Sequence, residues 1–178
     1  MILSRLFFLG FLSLFLFPAL AQAGQLTIAV VQYTDARTAE TLVAGFAGAE
    51  LTEITNSDKV ESKDSAIKGG RVLFATTMPV FSESSLVSST RLGAQRVELS
   101  VRFSPSNLKV EVTLQDGVDI GIRKFSRNVF TGSGPLNGSE PTIISIREST
   151  GKTQSAVKGK ATLKTYNFST LVVAQWKK

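Results

Sequence analysis

Two adjoining runs of strict alternation constrain the fold of this chain more than any motif. Val97, Leu99, Val101 and Phe103 alternate with Glu98, Ser100 and Arg102, and Leu108, Val110, Val112 and Leu114 alternate with Lys109, Glu111 and Thr113. A period of two puts one set of side chains on one face of an extended strand and the other set on the opposite face. Coiled into a helix, the same residues would scatter their apolar atoms around the whole surface. Ser104-Pro105-Ser106-Asn107 separates the runs with turn formers, so the segment predicts an antiparallel hairpin buried on one side. Asp116-Gly117 then leads into Val118, Ile120 and Ile122, the expected third strand of a meander.

The remaining chain fits around that hairpin. Gln25 to Tyr33, with Leu26, Ile28, Val30 and Val31, reads as a strand buried on one face and partly on the other. Ala39, Leu42, Val43 and Phe46 fall at helical spacing after Thr34 and Asp35, either of which can cap the start. They predict one amphipathic helix of about three turns, weakened at its end by Gly45 and Gly48. Leu51 to Ser65 reads as a connection turning at Asn56-Ser57-Asp58. Arg71 to Phe81 reads as a strand ended or bulged at Pro79, and the Ser-rich Ser82 to Thr90 as an exposed stretch. Gly132, Gly134, Pro135 and Gly138 interrupt the pattern. Thr142 to Ile146 resumes it, Gly151 turns it, and Ala156 to Leu163 with Tyr166 to Trp176 supply two more strands. The expected fold class is α+β or mainly β: an antiparallel β-sandwich-like domain of about eight strands with one short N-terminal amphipathic helix.

The first 23 residues are read as a separate segment. Arg5, the apolar run Leu6 to Phe17, and Ala21-Gln22-Ala23 have the three parts of a secretory signal, with cleavage expected after Ala23 and a second candidate site after Ala21. Gly10, Ser13 and Pro18 leave the run short of the roughly 20 residues of a spanning helix. Residues 24–178 are then one β-rich domain, expected to be exported to a periplasmic or extracellular setting, bacterial rather than eukaryotic. The two Asn-x-Ser sequences, at Asn137 and Asn167, are read as chance matches. An eight-stranded membrane barrel fits less well, because the ten aromatics of residues 24–178 are too few for two girdles.

The chain has no His and no Cys. Disulfides, thiol nucleophiles, His-dependent triads and imidazole metal sites are therefore excluded, and no cofactor or metal is expected. Ser65-Ala66-Ile67-Lys68 and Ser155-Ala156-Val157-Lys158 match a Ser-x-x-Lys spacing but lack the companion motifs of enzymes that use it. Gly151-Lys152-Thr153 resembles the end of a phosphate loop without its earlier glycine. Asp116 and Asp119 are the close acidic pair, better explained as turn residues than as a glycosidase dyad. No catalytic residue is assigned.

Charge position carries more information. The chain has a net charge of +6, but Gly24 to Thr90 holds five basic and eight acidic residues, whereas Arg91 to Lys178 holds fourteen basic and six acidic. Lys158, Lys160 and Lys164 are expected on one face of a strand, and Arg123, Lys124 and Arg127 form a second cluster. These six are the candidate anion- or partner-binding residues. Gly132, Ser133, Gly134 and Asn137, in a Gly-rich stretch read as a loop from Thr131 to Gly138, are the candidate loop-binding residues. The leading expectation is a non-enzymatic exported binding or structural protein acting through its basic C-terminal half. Its expected partners are an anionic envelope polymer, an acidic protein face or, head to tail, another copy; nucleic acid is disfavoured. A carboxylate-dependent glycan hydrolase and a secreted carbohydrate-binding module are the alternatives.

Overall fold

The computed structural model describes residues 24–34, 37–47, 49–51, 58–92, 95–116, 126–157 and 160–178, with the backbone alone for 92, 116, 126, 151–157 and 160–164. The signal-like segment 1–23 lies outside the described residues. In chain order the elements are β1 (Gly24–Tyr33), α1 (Ala39–Phe46), β2 (Arg71–Val80), β3 (Ser84–Leu92), β4 (Gln95–Ser104), β5 (Asn107–Asp116), β6 (Ser126–Gly134), β7 (Thr142–Val157) and β8 (Lys160–Lys177). They form two four-stranded antiparallel sheets, β2-β1-β8-β7 and β3-β4-β5-β6. The chain thus has the sandwich-like, eight-stranded architecture with one short helix that its alternations predict.

The alternating runs form the hairpin β4–β5, tightened to a Pro105-Ser106 turn with Ser104 opposite Asn107 as the last pair. Their apolar sets, Val97 to Phe103 and Leu108 to Leu114, face Leu26, Ile28 and Val30 of β1, Phe74, Met78 and Val80 of β2, and Val172 and Ala174 of β8 across the sandwich. Burial of each such side chain contributes about 1.5–3 kcal/mol. A second core covers the other face of the first sheet, where Ala29, Val31, Tyr33, Leu171 and Val173 meet Leu42 and Phe46 of α1 with Leu51, Val60 and Ile67. The first sheet is therefore a middle layer. Burial on both faces is why β1 and the end of β8 read as near-continuous apolar runs and β4 and β5 do not.

The helix is shorter than its spacing suggests and is capped elsewhere. Thr38, in extended conformation, is the N-cap, and its Oγ1 accepts from the Thr41 backbone N–H at 3.3 Å. That displaces the expected cap at Thr34 or Asp35. After the eight residues Ala39–Phe46, Ala47 turns the chain out of the helix. Gly45 seats it: a Cβ there would lie 2.6 Å from Ile67 Cγ2. The Ile67 turn is held from β1, since the Tyr33 hydroxyl donates to the Ile67 carbonyl at 2.6 Å and Arg37 lies 4.9 Å from the Tyr33 ring centroid. Arg37 also donates to the carbonyls of Ala66 and Lys68 at 2.8 and 3.1 Å. The first Ser-x-x-Lys sequence is thus a clamped turn with Ile67 buried and both Ser65 and Lys68 exposed.

Several strand limits differ from expectation for identifiable reasons. Strand β2 continues through Pro79, opposite Gln25, because β2 is a sheet edge where a missing outward donor costs nothing. The exposed Ser-rich stretch is itself an edge strand, β3, entered by a tight turn in which Ser84 Oγ accepts from the Phe81 N–H at 2.8 Å and donates to the Phe81 carbonyl at 2.7 Å. The expected third meander strand, Val118 to Ile122, lies outside the described residues; the strand that pairs with β5 is β6. Gly151 does not turn the chain but sits within β7 opposite Tyr166. The run Ala156 to Leu163 spans two strands, since Val157 opposite Lys160 is the last pair of a hairpin with strands of 16 and 18 residues.

Candidate binding surface

One face of β8 changes character along its length. Trp176, Ala174 and Val172 belong to the core between the sheets; Thr170 follows at its margin, then Phe168 and Tyr166, then Lys164, Thr162 and Lys160. These are alternate positions of one strand, and the described side chains from Trp176 to Tyr166 share its face. The polar turning point is a row across the first sheet: Arg71 of β2 is paired with Gln32 of β1, Gln32 with Thr170 of β8, and Thr170 with Arg147 of β7. Three strand spacings separate the two arginines, about 14 Å of backbone. The row borders a cleft of about 420 Å³ at the open end of the sandwich, with Leu73, Leu114, Phe130 and Phe168 as its apolar wall and Gln95 and Asn128 reaching in from the second sheet. No carboxylate lines it among the described residues. Arg71 and Arg147 both line this largely polar cleft, and a guanidinium group can grip carboxylate, phosphate or sulfate with paired N–H donors.

Beyond this cleft β7 and β8 leave the rest of the sheet. Strand β1 pairs with β8 only as far as Tyr33 opposite Ser169, and from Ser149 opposite Phe168 to Val157 opposite Lys160 the two strands pair only with each other among the described strands. This ribbon extends about 26 Å at the usual rise per residue. Residues 149–168 contain four lysines and no acid. At its base the rings of Tyr166 and Phe168 lie 5.9 Å apart, with Tyr166 43% exposed.

The structure divides the residues singled out from sequence. Lys160 and Lys164 lie on β8, opposite Val157 and Thr153. Lys158, Arg123 and Lys124 lie outside the described residues. The expected single strand face of Lys158, Lys160 and Lys164 therefore falls partly outside the described residues, with Lys160 and Lys164 placed by backbone alone. Arg127 is exposed on β6, in the other sheet.

Gly132, Ser133 and Gly134 are not in a loop: they end β6, opposite Val110, Lys109 and Leu108. Gly132 has a packing reason, since a Cβ there would stand 2.7 Å from Ile144 Cγ2 and 2.9 Å from the Ile144 carbonyl oxygen, where β6 abuts β7. Asn137 is in the exposed connection to β7, and its N–H donates to Thr142 Oγ1 at 3.1 Å. Arg71 and Arg147 were not legible as a pair, because 76 positions separate them and only the strand register brings them into one row.

The acids offer less. Asp119 lies outside the described residues. Glu50 and Glu140 border one depression, but both are exposed and Lys177 pairs with Glu50 at 3.0 Å, a mixed-charge surface beside Lys178.

No protein-family model matches the chain, and no curated protein matches it. Among solved structures it is similar to the type II secretin GspD from enteropathogenic Escherichia coli, at 11% identity and a TM-score of 0.33 over 87% of this chain and 65% of that one. It is also similar to the secretin-domain β-barrel of InvG from the Salmonella SPI-1 injectisome, at 8% identity and a TM-score of 0.25 over 86% of this chain and 58% of that one. The chain spans less than two thirds of either structure's length. Similarity this slight carries no argument about function.

Proposed function

We propose that this chain is an exported, non-enzymatic binding or assembly module that holds an anionic polymer of the cell envelope along the β8 face and the arginine cleft. The observation supporting this reading is the order along β8: a cleft with Arg71 and Arg147 and no acid among its described lining residues, then Phe168 and Tyr166, then the strand positions of Lys164 and Lys160. Distance favours a polymer over a small ion. Lys160 and Lys164 are about 13 Å apart along the strand, beyond the Debye length of about 8 Å at physiological salt, so a single anion feels one of them at a time. A chain of anionic groups engages several together. The exposed Tyr166 beside Phe168 favours a glycan within that class, because an aromatic face packs against the apolar face of a sugar ring.

The test is salt elution from an immobilised polyanion such as heparin. The purified protein is expected to be retained and to elute earlier after Lys160→Glu with Lys164→Glu, and after Arg71→Gln with Arg147→Gln. Unchanged elution of both double variants contradicts the proposal. Tyr166→Ala is expected to weaken retention on an acidic polysaccharide more than on a sulfonated resin of matched charge.

A further inference from the structure

The edges of the two sheets are treated unequally. On β2 the segment around Lys59 covers one end, with the Val72 N–H donating to the Asp58 carbonyl at 2.9 Å and the Val60 N–H to the Gly70 carbonyl at 2.7 Å, while Pro79 occupies the other. The edges of β6 and β7 abut at Gly132 and Ile144. Among the described residues strand β3 has no such protection. It is nine residues long, contains no proline or lysine, and carries one charge, Arg91, next to its end. It is exposed on both faces, with Val87 81% and Leu86 39% accessible. A long edge with a single charge near its end is a template for another strand, and natural sheets usually blunt such an edge.

We infer that β3 is a self-pairing edge: two copies of this chain join β3 to β3, antiparallel about a two-fold axis at Ser88, continuing the second sheet from four strands to eight across the pair. The occupant follows from the strand's own charges. In this register Leu86 lies opposite the partner's Thr90 and Val87 opposite the partner's Ser89, so the apolar residues cluster around the axis. Arg91, which stands opposite Arg96 in its own sheet, lies opposite the partner's Ser85, at the far end from the partner's Arg91, and so meets no like charge across the axis. Two positions beyond Ser85 comes the exposed Glu83, placed diagonally from Arg91, at the roughly 7–8 Å that long side chains bridge. The arrangement is isologous and closes at two copies, unlike the head-to-tail association expected from charge asymmetry.

Sedimentation equilibrium of the purified protein across micromolar to submillimolar concentrations is expected to show a monomer–dimer equilibrium. Val87→Lys is expected to weaken it at least tenfold while leaving the far-ultraviolet circular dichroism unchanged. Because the chain contains no cysteine, single thiols report the register. Ser88→Cys faces itself across the axis, within disulfide range, and is expected to form a covalent dimer on mild oxidation. Leu86→Cys lies about 13 Å from its own counterpart along the strands and is expected not to. A protein monomeric at every concentration overturns the inference. So does a Val87→Lys variant that dimerises like the parent, or equal cross-linking of the two thiols.

Discussion

Gly132 and Gly134 stand two residues apart on one strand, yet they are expected to respond oppositely to alanine. At Gly132 the added methyl meets three atoms, Ile144 Cγ2 at 2.7 Å, the Ile144 carbonyl oxygen at 2.9 Å and Ser145 Cβ at 2.9 Å. Two of these belong to the backbone or are fixed to it, so no side-chain rotation relieves the contact and β6 must part from β7. Overpacking of this kind costs about 1–3 kcal/mol. At Gly134 nothing lies within 4 Å, and its φ is not positive, so alanine enters unstrained. It then stabilises by about 0.4–1 kcal/mol through the lost freedom of the unfolded chain. For a domain of this size 1 kcal/mol moves the Tm by about 2–4 °C. Taking ~2 kcal/mol for Gly132→Ala predicts a fall of about 4–8 °C, against a rise of about 1–4 °C for Gly134→Ala. Thermal unfolding followed by circular dichroism, with urea titration as a second measure, decides it. Equal melting temperatures for the two variants would refute the close-approach argument. Loss of polyanion retention in both, at unchanged stability, would instead make the segment a ligand-binding element.

Two further substitutions test the second core. Tyr33→Phe leaves the ring in place but removes the donor to the Ile67 carbonyl, so stability is expected to fall by about 1–3 kcal/mol in urea unfolding, and a change below 0.3 kcal/mol would contradict the clamp. Thr38→Ala removes the cap at the start of α1 and is expected to cost about 0.5–2 kcal/mol, whereas Thr34→Ala, outside the cap, is expected to be neutral by the same assay.

The parts legible in the sequence were those whose local pattern matches their surroundings. The hairpin β4–β5 has one face in the core and one in water, so its alternation states its structure directly. The charge gradient was visible too, but its geometry was not. Ala156 to Leu163 shows no interruption except Gly159, and a glycine does not by itself distinguish the end of one strand from the interior of another, so the boundary between β7 and β8 is not visible locally. Gly151 misled in the opposite direction, promising a turn where β7 continues. The Gly132 to Gly134 stretch resembled a loop because the close approach of another strand and conformational freedom select the same residue. The arginine row depends wholly on register among four strands, a quantity no local window contains.

Strand β1 sits between β2 and β8, and the first sheet is the layer that both cores share. In time rather than in space, this means that the earliest described strand waits for the last. Strands β3 to β6 pair with sequence neighbours and can assemble as the chain appears. Strand β1, by contrast, has only β2 beside it until Leu171 to Trp176 arrive, and its apolar edge stays open throughout. Closing a loop that long before any contact compensates for it makes the step slow. Insertion of β8 completes both cores at once, since Val172 and Ala174 belong to one and Leu171 and Val173 to the other.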